Sequence, residues 1–108
     1  MPVDSRERRK KRIRRKVSGT PERPRMTIYR SLRSLYAQVV DDSAGKTLAA
    51  AELRGKKNQV AGKELGDTFG KKLADAKIAA VVFDRNGYRY HGVVKAFAEA
   101  VRASGVKF

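Results

Sequence analysis

The chain has no cysteine. That excludes disulfides, thiol nucleophiles and cysteine-ligated zinc fingers. It has one histidine, His91, and no serine or carboxylate is placed beside it by spacing, so general-acid catalysis there lacks a positioned partner. Carboxylates are scarce: 11 Asp and Glu stand against 26 Lys and Arg. A metal nuclease needs clustered carboxylates, and the candidates are Asp41, Asp42 and Asp84. Asp41 and Asp42 are adjacent, so in a strand they point to opposite faces, and the first predicted strand carries no acid. There is no phosphate loop and no dinucleotide fingerprint. No run approaches the roughly 20 apolar residues of a membrane span, and the charged N-terminus has no stretch of signal-peptide character. The expectation is a soluble, intracellular, non-catalytic protein without metal or cofactor.

What the chain does have is positive charge. Its 108 residues carry a net +15, which works against compaction unless a polyanion neutralises it. RNA, DNA and an anionic membrane are the candidate polyanions. At 41% hydrophobic residues, there is still material for one core.

The composition changes near Arg25. Residues 1–25 hold 11 basic and 3 acidic residues, and their sizeable aliphatic side chains, besides Met1, are Val3, Ile13 and Val17. Such a segment cannot bury enough surface to offset its ordering entropy alone. It is predicted to be a basic tail, disordered or transiently helical in the free protein, with residues 26–108 as the globular domain. Ser18 to Pro21 and Pro24 end any helix. Arg6, Arg8, Arg9, Lys10, Lys11, Arg12, Arg14, Arg15 and Lys16 are almost continuous, so charge faces every direction. That suits threading between phosphates better than one face of an amphipathic helix. A solvated tail or a targeting signal is the alternative. Without Trp, Phe or Leu the tail is a poor membrane anchor.

From Met26 the period is two. Strands are predicted over 26–30, 35–42 and 46–53, the first two joined by a short turn as an antiparallel pair. The period then lengthens: Ala61, Leu65, Phe69 and Leu73 recur every four residues along a helix over about 59–76. Gly62, Gly66 and Gly70 share that spacing, each costing roughly 0.5–1 kcal/mol against alanine. Three on one ridge imply close approach to other backbone. Ile78 to Phe83 is continuously apolar, as in an interior strand covered on both faces. A last helix over 92–103 has Val94, Phe97, Ala98 and Val101 on one face. The fold class is mixed α/β, in the order strand-strand-strand-helix-strand-helix. A helical crossover makes the third and fourth strands parallel if they share a sheet, giving a mixed four-stranded sheet packed with two helices.

Between the last strand and helix, Arg85, Tyr88, Arg89, Tyr90 and His91 alternate cations with rings, in a stretch that runs from Phe83 to Lys95. Guanidinium groups grip phosphates, and flat rings stack on unpaired bases or bond to sugar hydroxyls. This tilts the partner toward RNA. Alternatively, Asn86-Gly87 is a turn dipeptide and the tyrosines cover the end of the sheet.

Phe83-Asp-Arg-Asn-Gly-Tyr-Arg-Tyr-His-Gly, followed by Val-Val-Lys-Ala-Phe-Ala, resembles the signature of the bacterial large-subunit ribosomal protein family numbered eighteen. Arg23 to Ser31, Leu35 to Asp42 and Ala103 to Phe108 match as well, so the resemblance covers essentially the whole chain. It implies a ribonuclease-H-like topology without the nuclease chemistry and a basic N-terminal extension ordered by RNA. It also implies binding of 5S rRNA and its attachment to 23S rRNA in the central protuberance of the cytoplasmic large subunit, beside other 5S-binding proteins. Carried over by position, Arg23, Arg25, Arg30, Ser31 and Arg33 join the tail, the 85–91 loop and Lys95 as expected RNA contacts. Two residues depart from the family pattern: Val93 stands where arginine is usual, and Leu32 where a polar residue is common. The competing reading is a general nucleic-acid compaction protein that binds through charge alone.

Overall fold

Alternation of apolar and polar residues, strict in β2 (Ser34–Asp41) and looser in its neighbours, builds the first half of the domain. The computed structural model describes residues 5–16, 18–55 and 58–108, apart from the side chains of Arg15 and Lys16. Val3 and Val17 therefore lie outside the described residues, as do the side chains of the expected contacts Arg15 and Lys16. The elements are α1 (Ser5–Lys16), β1 (Arg25–Arg30), β2 (Ser34–Asp41), β3 (Lys46–Arg54), α2 (Gln59–Asp75), β4 (Val82–Asp84) and α3 (Val93–Ala103).

The sheet order is β3-β2-β1-β4, with β1–β2 and β2–β3 antiparallel and β1–β4 parallel. β3 and β4 thus run in the same direction, as the α2 crossover requires. Met26, Ile28, Leu35, Ala37 and Val39 are fully or almost fully buried and form one face, to which Phe83 belongs by register. α2 and α3 cover this face. Their contacts come from Leu65, Phe69 and Leu73 on α2 and from Val94, Phe97 and Val101 on α3. Asn58 caps α2, its side-chain oxygen accepting from the Ala61 N–H at 2.9 Å.

The glycine ridge is explained by α3. A Cβ on Gly62 would lie 2.6 Å from the Val93 carbonyl oxygen, and one on Gly66 would lie 2.6 Å from that of Phe97. A Cβ on Gly70 would instead meet the Ser104 side chain. The two helices therefore pack backbone to backbone. Val93 is buried with its Cγ1 against Gly62. The residue that stands in place of arginine serves this packing.

One expectation is corrected and one is made specific. First, Ile78–Phe83 is not one interior strand. β4 begins at Val82 and lies at the sheet edge. The preceding residues pair with the C-terminal tail instead, with Lys107 N–H donating to the Ala79 carbonyl and Val81 N–H to the Lys107 carbonyl, both at 3.0 Å. The apolar run is covered by tail residues, buried Val106 and Phe108 among them, rather than by a further strand; the Phe108 ring lies 5.8 Å from that of Phe83. Second, the structure has a third helix, α1, in the basic segment. It contains no proline or glycine, and Arg and Lys are good helix formers. Glu7 sits in its first turn and pairs with Lys10 at 3.6 Å. Against this, like charges four apart oppose the helix, and 12 residues are marginal in isolation. What it docks on decides its stability.

Candidate nucleic-acid interface

α1 docks on the sheet face that α2 and α3 leave open. By register and alternation that face carries Arg25, Thr27 and Tyr29 of β1, Tyr36, Gln38 and Val40 of β2, and Asp84 of β4. The Arg6 guanidinium lies 4.2 Å from the Tyr88 ring centroid and 6.0 Å from that of Tyr29. Arg9 Nε donates to the Gly87 carbonyl at 2.7 Å. Arg14 pairs with Asp42 at 3.5 Å. Asp42 adjoins Arg25 at the far end of β1, so α1 runs antiparallel to β1. The lengths agree: eight helical residues rise about 12 Å, and four strand residues span about 13 Å.

Arg6, Arg9, Lys10 and Ile13 are half-buried and spaced i, i+3, i+4, i+7, while Arg8, Lys11, Arg12 and Arg14 are exposed. The tail is thus amphipathic in an unusual sense. Its inner face uses arginines against rings and a carbonyl, and its outer face is free cationic surface at Arg8, Lys11 and Arg12. A docking face made of arginine leaves no aliphatic stripe, and nearly continuous charge along the segment hides its spacing.

The loop after β4 makes the other half of this contact. Asn86 and Gly87 turn the chain with positive φ, 53° and 76°. Asn86 N–H donates to Asp84 at 2.8 Å and its side-chain amide to the Ile28 carbonyl at 3.2 Å. Gly87 is required by proximity too: a Cβ there would sit 2.5 Å from the Arg6 carbonyl oxygen. The Tyr88 hydroxyl accepts from the Arg30 N–H at 3.0 Å and donates to its carbonyl at 3.3 Å. Arg85 donates to the Tyr88 carbonyl at 2.8 Å. Arg85 and Tyr88 therefore shape the loop and hold α1. Arg89, Tyr90 and His91 are exposed. Tyr90 also packs edge-on against Phe83, with ring centroids 6.3 Å apart.

The Tyr88–Arg30 bonds bring the loop beside the β1–β2 turn. Ser31 and Ser34 close that turn, their hydroxyls 2.6 Å apart. Arg30 and Arg33 are exposed there, and Leu32 at the tip is 88% exposed. One end of the sheet therefore gathers Arg30, Arg33, Arg89, Tyr90 and His91 beside the start of α1. Arg23 is exposed at the opposite end, and Lys95 is exposed on α3 within 4.0 Å of Glu99.

Arg25 behaves otherwise. Its Nε and Nη2 donate to Asp42 at 3.0 and 3.3 Å, and its Nη1 donates to Asp84 at 2.9 Å. With 15% of its side chain exposed, it clamps the two carboxylates together. The Arg25 hydrogen bond is the largest cause holding the Asp42 carboxyl down at about 2, against the opposing effect of burial; the Gly19 N–H and the charges of Arg25 and Arg14 add to it. Two carboxylates flank the sheet face, and a guanidinium lies between them. Asp41 bonds separately to the Ser43 N–H and hydroxyl, at 3.0 and 2.6 Å. Among the described residues no three His, Cys, Asp or Glu gather as a metal site.

A mixed sheet backed by two helices, with cations and rings gathered at one end, defines a nucleic-acid-binding module. The family model described as ribosomal L18 of archaea, bacteria, mitochondria and chloroplast matches residues 3–108. A large ribosomal subunit protein uL18 from Bacteroides thetaiotaomicron is 50% identical over 110 residues, 98% of this chain and 96% of the relative. Its namesake in Myxococcus xanthus is 50% identical over 114 residues, 98% and 97% of the two chains. That of Lactiplantibacillus plantarum is 49% identical over 109 residues, 96% and 92%. The chain belongs to the ribosomal L18 family, whose members are structural, non-enzymatic proteins of the large ribosomal subunit.

Proposed function

We propose that this chain binds 5S rRNA and helps to attach it to 23S rRNA in the central protuberance of the cytoplasmic large subunit, close to other 5S-binding proteins. The observation that carries this reading is the convergence of α1, the β1–β2 turn and the 85–91 loop. Exposed cations occur on all three segments, with an exposed tyrosine on the loop, and most acids on the adjoining sheet face are tied up by arginines. Residues 1–25 act as the RNA-binding extension and 26–108 as the globular domain. The contacts are Arg8, Lys11 and Arg12 from α1, Arg23, Arg30, Ser31 and Arg33 around β1, Arg89, Tyr90 and His91 from the loop, and Lys95. Arg6, Arg9, Arg85 and Tyr88 shape this surface from beneath, and Arg25 lies inside it.

The phosphates supply most of the affinity, and the rings and backbone geometry supply discrimination. A competition assay at moderate salt tests this, with 5S rRNA against duplex DNA and an unrelated RNA. 5S rRNA is expected to win by at least tenfold, about 1.4 kcal/mol. Equal affinity for all three would return the protein to binding by charge alone.

A further inference from the structure

One carboxylate meets the segment between α1 and β1 together with both elements that it joins. The Gly19 N–H donates to Asp42 Oδ2 at 2.6 Å, and the same carboxylate takes Arg25 from β1 and Arg14 from α1. Gly19 is buried so closely that a Cβ would lie 2.5 Å from both the Arg25 amide nitrogen and the Val40 carbonyl oxygen. Asp42 therefore joins three parts of the chain: the last turns of α1, the linker and the sheet. We infer that Asp42 is a positioning residue for RNA binding, which touches no RNA itself but fixes the direction in which the outer cations of α1 leave the domain.

This rests on the reading that α1 binds rRNA. The physical case is preorganisation. A tethered cationic helix that samples many directions binds more weakly, in proportion to the fraction of time it points correctly. The other end of α1 is held by Arg6 on Tyr88 and Arg9 on Gly87. Removing the Asp42 contacts loosens the later turns of α1 relative to that contact.

The sign of the effect separates this role from simple electrostatics. Replacing Asp42 by asparagine raises the net charge from +15 by one, so charge alone predicts tighter RNA binding. The latch predicts weaker binding. The experiment uses the full-length chain, wild type, Asp42→Asn and Gly19→Ala, titrated with 5S rRNA at several salt concentrations. Amide hydrogen exchange is measured on each free protein. Gly19→Ala disturbs the same linker by sterics and leaves the charge unchanged. Both variants are expected to lose roughly tenfold in affinity with an unchanged salt slope, to exchange faster over 5–20, and to keep wild-type protection in α2 and α3. Affinity equal to or tighter than wild type in Asp42→Asn would overturn the latch. So would an affinity loss accompanied by lost protection in α2 and α3, because the role would then be one of stability. If deleting residues 1–16 left 5S rRNA binding untouched, the functional reading itself would fall, and the latch with it.

Discussion

The two faces of the sheet are closed by opposite chemistries. α2 and α3 seal one face with phenylalanine, leucine and valine, and glycines let their backbones touch. α1 lies on the other through a guanidinium on tyrosine rings, a guanidinium on a carbonyl and an ion pair with Asp42. The first closure is dry and insensitive to salt. The second is half-solvated, so each contact is worth about 1 kcal/mol or less. A helix held this way keeps its outer cations exposed at Arg8, Lys11 and Arg12. Stability therefore resides in one face, and the proposed RNA binding belongs to the other.

Substitutions can break that division in order of size. Phe97→Ala opens a cavity between α2, α3 and the sheet, and should cost about 3–5 kcal/mol of unfolding free energy. Denaturant titration of the free protein reads this; a loss under 1 kcal/mol would mean that the core lies elsewhere. Acid comes next. The Asp42 carboxyl is depressed from its ordinary 3.8 to about 2, so its contribution is complete above roughly pH 4 and fades as pH falls toward 2. That contribution is at most about 2.5 kcal/mol. Amides of the linker around Gly19 should lose protection in this window in wild type, and not in Asp42→Asn; equal loss in both would remove Asp42 as the cause. Arg6→Ala is the mildest. It should lower the protection of α1 by about 0.5–1 kcal/mol while the midpoint of global unfolding stays put. A shifted midpoint would show that α1 belongs to the core after all.

Much of the apolar closure was legible in the sequence. Period-two strands, the four-residue stripe of α2 and the 94-97-98-101 face of α3 each report burial directly, and their predicted bounds lie within one residue of those observed. The glycine ridge was also read correctly, because only close approach justifies its cost. Ile78–Phe83 misled because an apolar run reports burial without naming the cover, here the C-terminal Val106 and Phe108. Where α1 docks is not legible for a deeper reason. Its docking depends on cation–π and carbonyl contacts to Tyr88 and Gly87, about 80 residues away, which no local period reveals. The carboxylates around Arg25 come together only through the sheet register, which no local pattern shows. Alternation of charge and ring in the loop leaves two readings open; Arg89, Tyr90 and His91 are exposed, whereas Arg85 and Tyr88 bond within the loop and to β1.

The central claim is that α1 is a binding element carried by a domain that does not need it. The direct test compares the full chain with one lacking residues 1–16, measuring 5S rRNA affinity against salt and thermal unfolding on the same samples. The account predicts that the deletion keeps a cooperative unfolding transition, loses at least roughly a hundredfold in affinity at moderate salt, and shows a shallower salt slope by about two to three counterions, one for each outer cation released. Parallel salt slopes with unchanged affinity, or a deletion chain that no longer unfolds cooperatively, would contradict it.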